Sequence, residues 1–165
     1  LKSISQTTDI ELVIIRPPLV YGPNVKANFL YLLKIGRLGL PLPFSKFINK
    51  RSLLYVGNLV DLIISCIIKD SFDGLIILPS DGEPISTRRL IKTIYSAFGL
   101  RSRLFYMPIK LLYLMALILR KEKQLDRLSQ SLIIDHNELN KIGWVPPFRF
   151  DEGINLTVDW YLNCR

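Results

Sequence analysis

The stretch "IIRPPLVYGPNVKANFLYLLK", residues 14–34, decides the fold of this chain. It starts inside a β-branched run, residues 10–15, of the kind that forms a short buried strand. Pro17 and Pro18 follow directly, and because proline has no backbone N–H we expect the hydrogen-bond ladder of the strand to stop there. Apolar residues then return at helical spacing over residues 25–35. A strand, a stiff corner and a helix therefore succeed one another.

Downstream of this stretch, short apolar runs alternate with segments of helical periodicity. The runs that predict strands are residues 53–56, 74–78 and 103–107. The segments that predict further helices, after a helix tail at residues 1–8, are 58–69, 86–98, 108–120, 135–143 and 151–163. Asn58 and either Ser86 or Thr87 are the expected N-caps. Gly36 and Gly99 are the expected helix ends. Interleaved strands and helices in 165 residues predict one α/β domain.

The positive charge of the chain is concentrated in two zones. The net charge is +8, with seven basic residues and no acid between Glu11 and Asp61, and eight basic residues and no acid between Glu83 and Glu122. Such zones attract polyanions, which include phosphorylated metabolites, nucleic acid and anionic membrane surfaces. A solvated basic face with no ligand is the alternative interpretation.

The cysteines and the start of the chain bear on its cellular context. Cys66 and Cys164 have neither metal-ligand nor redox spacing, which favours inert thiols in a reducing, cytoplasmic compartment. The chain opens with Leu1 rather than an initiator Met and has no signal peptide, which suggests a fragment.

The sequence shows no complete catalytic or dinucleotide-binding motif. Gly36 and Gly39 lack the third glycine of a phosphate-binding fingerprint and follow a predicted helix instead of opening one. The one histidine, His136, lies in a helix-capping sequence, which favours a structural role. No acidic pair, nucleophile triad or metal-ligand cluster stands out.

An apolar segment near residue 110 raises the question of membrane contact. Residues 104–119 fall short of the roughly 20 apolar residues that a membrane span requires, and they include Pro108 and Lys110. A core helix is one interpretation. Peripheral membrane contact through residues 104–121 is the other, because basic residues follow the segment directly.

Five motifs in order resemble the extended short-chain dehydrogenase/reductases, a family of sugar-nucleotide epimerases, dehydratases and reductases. They are "IRPPLVYGP" (residues 15–23), "PLPF" (41–44), "KRSLLYVGNLV" (50–60), "EPIS" (83–86) and "IGWVPP" (142–147). The resemblance therefore covers nearly the whole chain. Within the family, the set looks most like bacterial enzymes that act on UDP-N-acetyl-hexosamines in surface-polysaccharide synthesis.

The resemblance implies an α/β fold that is the carboxy-terminal part of an extended Rossmann-type enzyme. Residues 1–24 would end the Rossmann portion, and residues 25–165 would form mainly the substrate-binding portion. The family's dinucleotide loop and catalytic Tyr-x-x-x-Lys pair would lie upstream, so NAD or NADP would belong to the full-length parent and would not bind this chain tightly. Tyr106 and Lys110 match the spacing of that pair, but Pro108 interrupts the helical register that the pair needs.

The resemblance also implies roles for particular residues. Pro17 and Val20 would lie against the nicotinamide end of the cofactor. The residues implied to bind the nucleotide sugar are Pro18, Leu19, Asn28, Phe29, Pro43, Phe44, Arg51 and Arg127. Arg51 is the main candidate for the diphosphate, because a guanidinium binds phosphate oxygens in two-point geometry and stays charged. Leu19 departs from the Asn that the family often has there, which puts the exact sugar in doubt. No catalytic residue is assigned within the chain.

Two functional hypotheses follow. The first is the substrate-binding half of an NAD(P)-dependent sugar-nucleotide epimerase, dehydratase or reductase, inactive on its own. The second is a non-enzymatic basic module that binds a partner, nucleic acid or a membrane surface, although no nucleic-acid-binding module is recognisable. Half of a doubly wound sheet exposes strand edges and apolar faces, so we also expect the chain to self-associate, as a homo-oligomer or otherwise.

Overall fold

The computed structural model describes residues 11–68, 72, 74–118, 120, 125–126, 131–134 and 143–164. In this part of the chain the strands are β1 (Ile14–Ile15), β2 (Leu19–Tyr21), β3 (Lys50–Arg51), β4 (Leu53–Tyr55), β5 (Ile76–Ile77) and β6 (Ile85–Ser86). The helices are α1 (Ala27–Leu38), α2 (Val56–Ile68), α3 (Thr87–Ala97), α4 (Ile109–Ile118) and α5 (Phe150–Asn163). The predicted helices at 1–8 and 135–143, with His136, lie outside the described residues, and so does Arg127.

The proline corner moves the chain from one sheet to another. β1 pairs in parallel with β5, and its ladder ends where the Arg16 N–H donates to the Ile77 carbonyl at 2.8 Å. Immediately after the two prolines, β2 pairs in parallel with β4, with Leu19 opposite Leu53 and Tyr21 opposite Tyr55. The prolines therefore end one ladder, as predicted, but they also start a second strand that the apolar pattern did not reveal.

The predicted end of α1 at Gly36 is wrong. The helix continues to Leu38, and Gly39 ends it in the left-handed conformation with φ +63°. Gly36 is buried within the helix, where a Cβ would lie 2.7 Å from Ile94 Cγ2 and 3.3 Å from Phe98 Cε2. The glycine at this position therefore permits the close approach of α1 and α3.

Three further local predictions are corrected or refined. α2 begins at Val56, so Asn58 lies inside the helix and does not cap it. Residues 103–107 form an extended segment with one parallel bridge, between Leu42 and Leu104, in place of a regular strand. For α3, Ser86 is the N-cap, and its Oγ accepts a hydrogen bond from the Arg89 N–H at 3.1 Å.

The core has three clusters of buried side chains. The largest joins β2 and β4 to α1, α3 and α5 through residues that include Tyr21, Phe29, Leu33, Ile94 and Ile154. A second lies under α4 and contains Phe44 and Tyr95, and a third packs α2 against β5. The first cluster therefore packs the β2–β4 pair against three helices.

Candidate functional site

Arg51 is held by backbone pairing on both sides of β3. On one side β3 is antiparallel to β6, with Arg51 opposite Ile85. On the other side Arg51 bridges Leu132 in parallel, and the Ser52 N–H donates to the Leu132 carbonyl at 2.8 Å. Because both edges of the strand are paired, the position from which the Arg51 side chain extends is well defined.

Arg51 lines a cavity of about 480 Å³ between β2, β3 and the first turns of α1 and α3. This volume is in the range of small-molecule sites. The lining residues are Leu19, Val20, Val25, Lys26, Ala27, Asn28, Phe29, Leu32, Arg51, Leu53, Ile85, Thr87 and Leu90. The walls are thus mainly apolar, with a few polar groups that could orient a ligand.

The electrostatics of the cavity favour an anion. Its charged lining residues are Lys26 and Arg51, and no carboxylate is among its described lining residues. The amino-terminal residues of α1 and Thr87 of α3 also face it, so the positive ends of two helix dipoles point toward the cavity. Partial burial lowers the pKa of Arg51 below its ordinary value, but a guanidinium remains charged at neutral pH.

Five of the predicted site residues meet at this cavity. Leu19, Val20, Asn28, Phe29 and Arg51 all line it, so the proline corner and the guanidinium lie on the same side of the molecule. Phe29 is buried and stacks on Tyr21 with ring centroids 5.3 Å apart. Asn28 is half-buried in the first turn of α1.

The other predicted site residues that the structure describes do not line this cavity. Pro17 is exposed and Pro18 half-buried, and neither is among the residues that line the cavity. Pro43 lines a separate cavity of about 300 Å³. Phe44 is buried in the core beneath α4, in an edge-on contact with Phe47 at 4.9 Å.

A buried polar network supports the cavity from below. The Asp81 carboxylate accepts hydrogen bonds from the Tyr21 hydroxyl at 2.8 Å, the Tyr55 N–H at 2.8 Å and Asn58 Nδ2 at 2.7 Å. Burial raises the pKa of Asp81 above its ordinary value, and the three hydrogen bonds partly offset that effect. Burial, with the Asp81 charge next in importance, also raises the pKa of Tyr21.

The same network anchors the carboxy-terminal corner. Asn58 Nδ2 donates to the Phe148 carbonyl at 2.9 Å, and the Phe148 N–H donates to Asn58 Oδ1 at 2.9 Å. Trp144 Nε1 donates to Asp61 Oδ2 at 2.8 Å. The "KRSLLYVGNLV" and "IGWVPP" motifs therefore meet through these side chains.

Sequence reasoning missed several of these residues. Lys26 and Thr87 line the cavity, and Asn58 and Asp81 form the network beneath it. Lys26 had a detectable signal, because it lies in the acid-free zone at the start of the helix predicted over residues 25–35. Asp81 lies between Ser80 and Gly82, a composition that predicts a turn, and nothing in its neighbours along the chain indicates burial.

No protein-family model matches the chain. A UDP-glucose 4-epimerase from Vibrio cholerae is 36% identical over 167 residues, which is 100% of this chain and 51% of that protein. The aligned region therefore includes all the residues that form the proline corner, the cavity and the buried polar network. The resemblance to the extended short-chain dehydrogenase/reductase family is therefore confirmed over the whole of this chain.

Solved structures agree in fold with this family assignment. A Thermotoga maritima UDP-glucose 4-epimerase with UDP-glucose has a TM-score of 0.71 at 19% identity, covering 99% of this chain and 50% of that one. A Campylobacter jejuni GDP-mannoheptose C4 reductase with NADP bound has a TM-score of 0.72 at 12% identity, covering 98% and 52%. The chain spans about half the length of these proteins, and its fold is that of the carboxy-terminal half of extended Rossmann-type enzymes.

The family implies a nicotinamide cofactor. Of the two residues predicted to contact its nicotinamide end, Val20 lines the cavity and Pro17 does not. Gly36 and Gly39 lie at the end of α1 and not in a strand-to-helix phosphate loop. Tyr106 precedes α4 while Lys110 lies inside it, so the two do not share one helix. Among the described residues, no group of metal-ligating side chains could hold a metal ion.

Proposed function

We propose that this chain is the substrate-binding half of an NAD(P)-dependent nucleotide-sugar epimerase, dehydratase or reductase, and that it takes a UDP-sugar. The observation that carries the proposal is the meeting of Arg51 with Leu19, Val20, Asn28 and Phe29 at one cavity. These residues come from two distant motifs and from the first turn of α1, and together they supply a cation, an amide and apolar walls. In this proposal residues 25–165 are mainly substrate-binding, and residues 1–24 end the Rossmann portion.

The diphosphate is the part of the ligand that the cavity suits best. Arg51 donates two parallel N–H groups to phosphate oxygens, and the backbone amides at the start of α1 add further donors. Lys26 adds a second positive charge on the α1 side of the cavity. The Asn28 side chain, in the first turn of α1, donates or accepts a hydrogen bond at the same end of the cavity.

The sugar lies beside Leu19 and Pro18 in this proposal. Leu19 is 44% exposed and lines the cavity, so it offers an apolar wall where the family often has an amide. An apolar wall suits the methyl of an N-acetyl group, which favours a UDP-N-acetyl-hexosamine of the kind used in surface-polysaccharide synthesis. In this proposal Pro43 and Phe44 contact the nucleotide base. Arg127 is a second contact for the diphosphate.

In this proposal the chain contacts the cofactor only at its nicotinamide end. Pro17 and Val20 would contact the nicotinamide end of NAD or NADP, which supplies hydride transfer when bound to the complete enzyme. We derive no catalytic step from the residues of this chain, which we expect to be inactive alone. A cytoplasmic location fits the cytosolic nucleotide-sugar pools that such an enzyme would use.

Calorimetric titration with UDP-N-acetylglucosamine tests the proposal. We expect saturable binding to the chain, and Arg51→Ala should weaken it at least about tenfold, because a lost charge-assisted contact costs about 1.5–3 kcal/mol. The affinity of Arg51→Lys should lie between those of the parent chain and Arg51→Ala, since an ammonium keeps the charge but loses the two-point geometry.

Arg101→Ala is the matched control, because Arg101 is exposed and does not line the cavity. It should bind as the parent chain does. If a folded sample shows no heat with any UDP-sugar, the proposal is wrong. Binding of an oligonucleotide that falls steeply with salt, and that Arg51→Ala and Arg101→Ala weaken equally, would favour a basic binding module instead.

A further inference from the structure

The helix α4 (Ile109–Ile118) is apolar on both its buried and its exposed side. Leu112 and Ala116 pack against the core cluster that contains Phe44 and Tyr95. The opposite side carries Leu111, Leu114, Met115, Leu117 and Ile118, which are 43–73% exposed. We refer to these five residues as the α4 surface. Lys110 is the one charged residue of α4, and a helix this apolar on both sides is normally covered on both.

A groove with aromatic and basic side chains adjoins the start of α4. It has a volume of about 300 Å³ and is lined by residues that include Lys46, Ile48, Tyr106 and Ile109. The Lys46 ammonium lies 4.6 Å from the centre of the Tyr106 ring, and Ile48 is 87% exposed. Tyrosine and lysine with exposed aliphatic residues are typical of the boundary between lipid headgroups and acyl chains.

The size of α4 limits how it could contact a bilayer. Ten residues of helix extend about 15 Å, roughly half the thickness of the hydrocarbon layer. No helix among the described residues is both long and apolar enough to cross a membrane. Contact would therefore place α4 parallel to the bilayer, with its apolar side turned to the lipid.

The charges around α4 discriminate between the possible partners. From residue 84 to residue 121 the chain has eight basic residues and no acid, among them Lys110 within α4 and Arg120 just after it. Asp126 is the carboxylate seen in contact with α4 in the described chain, and it accepts a hydrogen bond from the Tyr113 hydroxyl at 2.8 Å. A second copy of the chain would bring the same positive charge, whereas an anionic bilayer brings the opposite charge.

We propose that the α4 surface binds the headgroup region of a bilayer that contains anionic phospholipid. The apolar residues enter the boundary with the acyl chains, and Lys46, Lys110 and Arg120 contact the lipid phosphates. Neither the apolar residues nor the basic residues are sufficient alone, because stable peripheral binding takes both apolar burial and electrostatic attraction. The α4 surface and the 480 Å³ cavity share no residue.

Vesicle flotation tests this proposal, since bound protein rises with the lipid while aggregated protein sinks. Vesicles of phosphatidylglycerol and phosphatidylcholine in roughly equal parts should carry the chain upward, and pure phosphatidylcholine vesicles should carry much less. Leu114→Glu combined with Ile118→Glu should lower the floated fraction about tenfold or more. Binding of the parent chain should weaken as salt is raised.

The matched control places the same two charges on a different exposed apolar helix. Ile64 and Ile67 on α2 are 49% and 78% exposed, and α2 contains no basic residue. Ile64→Glu with Ile67→Glu should leave flotation unchanged, with circular dichroism melts to verify that both variants fold. Equal loss in both variants would overturn the proposal, as would equal flotation with neutral vesicles. Dimerisation through the α4 surface without flotation would overturn it in favour of a second copy.

Discussion

At the scale of single residues, Asp81 shows how a turn residue can hold several elements together. Its carboxylate receives donors from β2, β4 and α2, and residues of β2 and β4 also line the cavity. A buried carboxylate is costly unless several donors satisfy it. The "IRPPLVYGP" and "KRSLLYVGNLV" motifs are therefore joined by one side chain that belongs to neither motif.

Removing the Tyr21 hydroxyl tests the importance of this network. We expect Tyr21→Phe to lower the free energy of unfolding by about 1–3 kcal/mol, because Asp81 loses a donor in a buried setting while the ring packing is retained. Urea denaturation measures the change. Tyr106→Phe is the control, because Tyr106 is 58% exposed, and it should change stability very little. Equal stability of Tyr21→Phe and the parent chain would show that the network is not stabilising.

Arg51 illustrates a residue whose position could be predicted but whose support could not. Its chemistry and its place before a predicted strand are visible in the sequence. The strand pairing that holds it, to Ile85 on one side and Leu132 on the other, joins segments far apart in the chain. Local pattern contains no information on such partners.

At the scale of secondary-structure elements, α1 and α3 pack closely where Gly36 meets Ile94. Gly→Ala normally stabilises a helix interior by about 1 kcal/mol. Here the added Cβ would lie 2.7 Å from Ile94 Cγ2, a contact too short to persist without movement. The steric cost of an overpacked core, about 1–3 kcal/mol, is expected to exceed the gain in propensity.

We therefore expect Gly36→Ala to lower the free energy of unfolding by about 1 kcal/mol. A double-mutant cycle with Ile94→Ala gives a sharper measurement than the single change. Ile94→Ala removes the clashing methyl, so the double variant should be more stable than the sum of the two single effects predicts. Additive effects would contradict the packing argument, and a Gly36→Ala variant more stable than the parent would show that the helices separate freely.

The strand β2 is one of three short strands that the sequence analysis missed in the described chain, with β3 and β6. Two prolines indicate the end of a ladder, and they correctly mark the end of β1. Leu19–Tyr21 is too short to show the alternation by which strands are recognised, and its partner β4 lies over 30 residues away. Such short strands depend on tertiary pairing, which a local pattern does not report.

At the scale of the whole molecule, the chain exposes a second apolar face on α2. Val60, Ile63, Ile64, Ile67 and Ile68 lie on one side of the helix and are 41–78% exposed. None of them is charged, and contiguous exposed apolar residues of this kind mark a surface that another protein surface covers. A copy of this chain or the Rossmann half of a parent enzyme are the candidates for that cover.

We expect the isolated chain to self-associate or to be poorly soluble, and the α2 face to be a cause. Sedimentation velocity should show species larger than a monomer, and Ile64→Glu with Ile67→Glu should shift the distribution toward monomer. The single-residue change Ile64→Val, which keeps the face apolar, should leave the distribution unchanged. A clean monomer with a cooperative melt in the parent chain would contradict this expectation.

The amino-acid sequence alone determined the strand, proline corner and helix, the order of the family motifs and the choice of Arg51. It could do so because proline, glycine and guanidinium chemistry act through the residue itself and its near neighbours. Only the tertiary structure decided that Phe44 is buried in the core, that Asn58 and Asp81 form a network, and that Leu19 and Arg51 line one cavity. Those facts depend on which distant segments pack together, and burial is a property of that packing rather than of any local pattern.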